Sequence, residues 1–175
     1  MNLPNKLTIL RVFLIPVFLF FLLFEINYGR QISLLIFVIA SSTDALDGYI
    51  ARKHNLITNF GKFMDPLADK LLVCAALIAL TYLGDIPVLL VILIISREFI
   101  ITGFRTLAAD SNIVIAASNW GKIKTITQMV MIIYFLIGLN FGIFVLIGNI
   151  LIGLSALSTI ISGMEYIYKN KQVLK

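Results

Sequence analysis

The chain has 175 residues, 60% hydrophobic and 13% charged, with a formal net charge of +5. Soluble domains are about 45–50% apolar, so this composition excludes a protein that covers itself with polar surface and points to one embedded in a bilayer. A single cysteine, Cys74, excludes an intramolecular disulfide and a cysteine-built zinc site. It reads as a small buried apolar side chain within the run 71–80. Crossing a hydrocarbon core of ~30 Å takes about 20 helical residues, so the length suits one membrane domain, residues 1–175, without a separate soluble domain.

In chain order, residues 2–11 mix apolar and polar groups irregularly, with Pro4 suited to a first helical turn. They predict a short interfacial helix ahead of an apolar span over 12–24, in which Pro16 is the kink point. The start has no basic n-region and no small-residue cleavage pattern, so the first apolar run reads as a retained span rather than a cleaved signal. Glu25, Asn27, Tyr28, Gly29 and Arg30 make a polar break. A second span covers 32–51, and its latter half turns polar through Ser41, Ser42, Thr43, Asp44 and Asp47. After a loop over 52–60, a third span over 61–83 carries Lys62, Asp65, Asp69 and Lys70 in its first turns. Gly84-Asp85 turns the chain and Pro87 opens a fourth span to about 109, with Arg97, Glu98 and Arg105 in its second half. A polar stretch over 110–124 precedes a fifth span over 123–139; a turn at 140–142 leads to a sixth span ending near 168. The expected fold is an all-α integral membrane protein with six transmembrane helices and a short N-terminal interfacial helix.

Basic residues in short loops set orientation. With six spans, thirteen of the fourteen Lys and Arg residues lie on or near the side that holds both termini, and only Arg30 lies on the other. Both termini, and the aspartates of spans two and three, are therefore expected on the cytoplasmic side of the cell membrane. The positive charge there suits membrane lipids with anionic headgroups or phosphorylated substrates; no nucleic-acid partner is expected. No internal repeat is visible, which argues against a transporter of inverted halves.

Asp44 and Asp47 stand i, i+3, and Asp65 and Asp69 stand i, i+4, so each pair shares a helix face. The short connection makes the two helices antiparallel neighbours, and the pairs can converge. Carboxylates in or at the edge of a membrane are expensive and mark function by default. Four together repel one another, and some would stay protonated unless neutralised. Mg2+ takes oxygen ligands from a few carboxylates, water and substrate phosphates, and two such ions ~4 Å apart can clamp the oxygens of a phosphoryl displacement. Gly48 and Gly61 either let a ligand approach closely or ease helix packing. Arg52 either reaches a phosphate or ribose hydroxyl or anchors the helix end.

The pattern D-x-x-D-G-x-x-A-R-x8-G-x-x-x-D-x-x-x-D runs from Asp44 to Asp69 without a departure. It resembles the signature of the CDP-alcohol phosphotransferase family, and the resemblance extends over the whole chain. It implies that Asp44, Asp47, Asp65 and Asp69 bind two divalent cations, Mg2+ or Mn2+, and that Asp69 is also the general base. It implies that Gly48 and Arg52 contact a cytidine nucleotide and that Gly61 lets it pack closely. Asn5, Thr8 and Thr43 either line the nucleotide pocket or act in ordinary capping and helix packing. The implied reaction is attack of an acceptor hydroxyl on the β-phosphorus of a CDP-linked lipid, with expulsion of CMP. The family also suggests a homodimer.

Three further stretches resemble the bacterial phosphatidylglycerophosphate synthases within that family: residues 2–11, Arg97-Glu98-Phe99 with Arg105, and Trp120-Gly121-Lys122-Ile123-Lys124-Thr125 with Gln128. They imply CDP-diacylglycerol as donor and sn-glycerol 3-phosphate as acceptor. Independently, Arg97 and Arg105 lie two turns, ~12 Å, apart along one helix, and Lys62, Lys122 and Lys124 sit at neighbouring helix ends. Such a basic group suits a dianionic phosphate. The competing assignment pairs Arg97 with Glu98 or an aspartate and makes the lysines interfacial anchors. Other readings are a different acceptor, as in cardiolipin, phosphatidylserine or phosphatidylinositol-phosphate synthesis, and a divalent-cation transporter. His54 reads as an exposed loop residue. Trp120, Tyr28, Tyr82, Tyr166 and Tyr168 read as interfacial anchors.

Overall fold

The structure is a computed structural model that describes residues 3–24, 26–53, 59–110, 118–139 and 141–171. Side chains are described for all of these except 3, 4, 44–53, 59–63, 65, 66, 109 and 110. The loop assigned to His54, the turn residue Asn140 and the end of the basic tail lie outside the described residues. The described chain forms six helices: α1 (Leu3–Leu23), α2 (Gly29–Lys53), α3 (Asn59–Tyr82), α4 (Val88–Asp110), α5 (Asn119–Ile137) and α6 (Ile143–Lys169).

The expected interfacial helix is not a separate element. Residues 3–11 are the first turns of one α1 that continues through Pro16. The reason is packing: Asn5, Thr8 and Arg11 are buried, as are Phe18 and Leu22 further along the same helix. One face of these turns packs on neighbouring helices. Trp120, expected in a polar connection, lies in the first turn of α5. Cys74 is half-buried rather than buried.

Asn5–Leu23 of α1, α5 and α6 are each long and apolar enough to cross a membrane, and the apolar part of α2, Gly29–Thr43, is shorter. Helices α3 and α4 have the length, but charged residues interrupt them: Asp65, Asp69 and Lys70 in one, Arg97, Glu98 and Arg105 in the other.

The chain divides into two compact units. The first comprises Met1–Leu83 with Leu136–Gly138 and the second Gly84–Phe135 with Leu139–Lys175. In the first, α1 packs on α2 and α3, and α2 packs on α3. Their core includes Phe18, Phe37, Leu72, Leu77 and Leu80. Ser33 Oγ is buried there but satisfied, within hydrogen-bond reach of the Gly29 carbonyl (2.8 Å) and the Phe18 carbonyl (3.2 Å). Gly29 is needed for this approach: a Cβ there would collide with the Phe21 carbonyl oxygen, a backbone atom that cannot step aside.

In the second unit, α4 packs on α6. Helices α5 and α6 are joined by hydroxyls and amides, with Thr127 and Ser158 Oγ atoms 2.8 Å apart and Gln128 Nε2 donating to Thr159 Oγ1 at 3.3 Å. Gly138 (φ 77°) and Gly142 (φ 51°) turn the chain between α5 and α6, so this G-x-x-x-G pair serves a turn and not a helix contact.

Candidate functional site

Helices α1 and α2 meet antiparallel, and their register can be read from named contacts. Arg11 Nε donates to the Ala40 carbonyl at 3.2 Å, Ser33 Oγ to the Phe18 carbonyl at 3.2 Å, and the Phe18 and Phe37 rings are 5.9 Å apart. Continued by three and six residues toward the start of α1, the same register sets Thr8 level with Thr43 and Asn5 level with Leu46. The buried polar turns of α1 therefore lie alongside the polar half of α2.

Burial then locates the four acidic positions. On α2, Ser33, Phe37 and Ala40 are buried at steps of four and three. The next steps of four and three reach Asp44 and Asp47 on the same stripe, because the backbone stays helical to Lys53. On α3, Leu72, Ala76 and Ala79 are buried in the same way. Stepping back by three and four reaches Asp69 and Asp65, again on unbroken helix. Each pair thus continues the stripe by which its helix packs into the first unit. α2 and α3 are joined by residues 54–58 and pack together, so the end of α2 and the start of α3 share one end of that unit. Asp69 is half-buried beside the fully buried Ala68.

The side chains of Asp44, Asp47, Gly48, Arg52, Gly61, Lys62 and Asp65 lie outside the described residues, and their positions follow from the helical backbone. Positions 44, 47, 65 and 69 offer carboxylate oxygens alone, a donor set that fits a hard divalent cation. The described side chains by themselves contain no group of three metal-binding residues. Thr43 Oγ1 donates to the Ala40 carbonyl at 2.7 Å. Toward any ligand it offers acceptor lone pairs only.

Arg11 is a residue that sequence reasoning used only as an orientation charge. It is fully buried, and its guanidinium and Thr43 both donate to the carbonyl of Ala40, one turn before Asp44. A buried charge in an apolar chain is costly, and this one ties α1 to α2 at the level of the acidic stripe. A signal was visible: Asn5, Thr8 and Arg11 recur every three residues.

The expected phosphate-binding residues other than Lys62 belong to the second unit, where they have unlike surroundings. Arg97 is mostly buried, its Nη1 3.0 Å from Glu98 Oε1, and Lys124 Nζ bonds the same oxygen. Lys124 is itself buried. Arg105 is exposed; its Nε donates to the Tyr166 hydroxyl at 3.3 Å and its guanidinium carbon stands 5.8 Å from that ring's centroid. Lys122 is exposed. Tyr166, expected as an interfacial anchor, is buried under Arg105. Glu98, noted in the sequence only as a competing partner for Arg97, is the centre of the charged cluster.

Comparison with known proteins agrees with the acidic pattern. The family model for CDP-alcohol phosphatidyltransferase matches residues 1–161. A CDP-diacylglycerol–glycerol-3-phosphate 3-phosphatidyltransferase of Bacillus subtilis is 44% identical, covering 99% of this chain and 97% of its own length. Its counterpart from Rickettsia typhi is 43% identical over 94% of each chain. A probable phosphatidylglycerophosphate synthase of Mycobacterium tuberculosis is 40% identical, covering 95% of this chain and 80% of its own. With nearly the whole chain matched by the family model, and with helical stripes that carry the family's aspartate pattern to one end of a three-helix unit, the protein belongs to the CDP-alcohol phosphatidyltransferase family.

Proposed function

We propose that the chain transfers the phosphatidyl group of CDP-diacylglycerol to sn-glycerol 3-phosphate, giving phosphatidylglycerophosphate and CMP. What supports the reaction type is that positions 44 and 47 are i, i+3 on α2 and positions 65 and 69 are i, i+4 on α3, two helices that pack together in the first unit. The acceptor rests on the relatives, whose names specify glycerol 3-phosphate at 40–44% identity along nearly the whole chain.

In this reading Asp69 accepts the proton of an acceptor hydroxyl. The hydroxyl oxygen forms a bond to the β-phosphorus, the bond from that phosphorus to the bridging oxygen breaks, and CMP leaves with the electron pair. A half-buried carboxylate inside α3 is suited to this, since partial burial limits competition from water. Asp44, Asp47, Asp65 and Asp69 hold two divalent cations, Mg2+ or Mn2+, which when bound neutralise the diphosphate. Asn5, Thr8, Thr43, Gly48, Arg52 and Gly61 form the nucleotide side. Asn5 and Thr8 are supported there by the α1–α2 register. Lys62, Arg97, Arg105, Lys122 and Lys124 bind the acceptor's phosphate. All six helices cross the cell membrane, both termini and the site face the cytoplasm, and two copies form a homodimer.

The deciding experiment offers purified protein CDP-diacylglycerol with sn-glycerol 3-phosphate, phosphatidylglycerol, serine or inositol phosphate, and measures CMP release. Release is expected with sn-glycerol 3-phosphate alone; equal or faster turnover of another acceptor overturns the assignment. Chelation should bring turnover to background, and Mg2+ or Mn2+ should restore it; unaffected turnover would remove the metals. Labelling of single cysteines from each side of the membrane checks the topology, and mass measurement in detergent checks the dimer.

A further inference from the structure

Arg97, Glu98 and Lys124 form a cluster of two cations on one anion. Both cations use the same oxygen, Oε1 of Glu98. This engages Arg97 through Nη1. A guanidinium has a second donor edge, formed by Nε and Nη2. Among the described residues, Arg97 Nε is buried without a hydrogen-bond partner, an arrangement that is costly unless something fills it. The first turn of α5 lies alongside this edge: Arg97 Nη2 stands 4.0 Å from where a Cβ of Gly121 would be, an ordinary contact distance. Ser118 Oγ, which accepts the Gly121 N–H at 3.0 Å, fixes this turn of α5.

We propose that Glu98 is a positioning residue for the acceptor's phosphate. By taking Lys124 and the Nη1 of Arg97 on one oxygen, it turns the Nε–Nη2 edge of Arg97 toward the oxoanion in the two-pronged geometry that such groups favour. It also pairs the buried Lys124. The proposal rests on the functional reading above, and it assigns to Glu98 a task in acceptor selection without contact with the substrate.

The test is steady-state kinetics of Glu98→Gln and Glu98→Asp, with thermal unfolding in detergent recorded for each. Wild type is measured first: no CMP release with sn-glycerol 3-phosphate would overturn the functional reading and this proposal together. With wild type active, Glu98→Gln is expected to raise KM for sn-glycerol 3-phosphate by about tenfold, the loss of one charge-assisted hydrogen bond. KM for CDP-diacylglycerol and kcat should stay within about threefold. Glu98→Asp, which keeps the charge at shorter reach, should fall between. A lowered unfolding temperature with both KM values unchanged assigns Glu98 a structural task only and overturns the proposal, as does an equal rise in both KM values. Should Glu98→Gln fail to fold, Glu98→Asp decides: an acceptor KM equal to that of wild type overturns the proposal while the functional reading stands.

Discussion

The two units handle charge in opposite ways. In the second, carboxylates pair with basic side chains: Glu98 holds Arg97 and Lys124, and Glu165 holds Lys169. In the first, four acidic positions continue the packing stripes of α2 and α3. The difference lies in composition and spacing: the first unit sets four acidic positions along two helices, while the second sets one acid between two bases. Like charges brought to one end of a helix bundle repel unless a cation or substrate joins them.

Substitutions can break this contrast, and the largest expected effect is on the acidic end. Asp69→Asn should lower CMP release by about 10²–10⁴-fold, the range for loss of a general base, while the protein still inserts and folds. Activity within tenfold of wild type, measured on purified protein, would remove Asp69 from that role. Next comes the packing beneath the acids. Ala68 is fully buried one residue before Asp69, so Ala68→Leu should cost about 1–3 kcal/mol through overpacking and shift α3 enough to reduce turnover. An unchanged unfolding temperature would show that the stripe tolerates displacement.

Arg11→Ala removes a fully buried side chain that reaches the Ala40 carbonyl. It should destabilise the protein by about 2–4 kcal/mol, the range for large-to-small changes in a core. Arg11→Met, of similar bulk, should recover most of that stability, because an apolar replacement leaves no charge to bury. Equal loss in both variants would mean that the charge, rather than the packing, holds α1 to α2. The smallest effect is expected at the edge of the second unit. Lys169→Ala removes an i, i+4 pair with Glu165 whose lysine end is exposed, and unfolding temperature and turnover should change little.

Much of this was legible from residue order. Helix number followed from the spacing of polar breaks, and the turns at Gly84 and Gly138–Gly142 from glycine. The pairing of Asp44 with Asp47 and of Asp65 with Asp69 followed from spacing, since i, i+3 and i, i+4 imply a shared face wherever the backbone is helical, and the reaction class followed from the family resemblance that this pattern carries. The first turns of α1 run unbroken into the apolar span, and the burial of Asn5, Thr8 and Arg11 could not be read from an irregular mixture of apolar and polar residues. Local pattern likewise could not tell whether Arg97 was paired, because its partner Glu98 shares an oxygen with Lys124, 26 residues away from that glutamate.

By itself, the sequence determined the medium, the helical class and the chemical identity of the acidic pattern, because hydropathy and helical periodicity are local properties. Tertiary structure decided which polar residues are interior, that Thr8 and Asn5 lie level with the polar half of α2, and that Glu98 gathers Arg97 and Lys124. These depend on inter-helix register and on contacts between distant residues, and no spacing within a single helix encodes them.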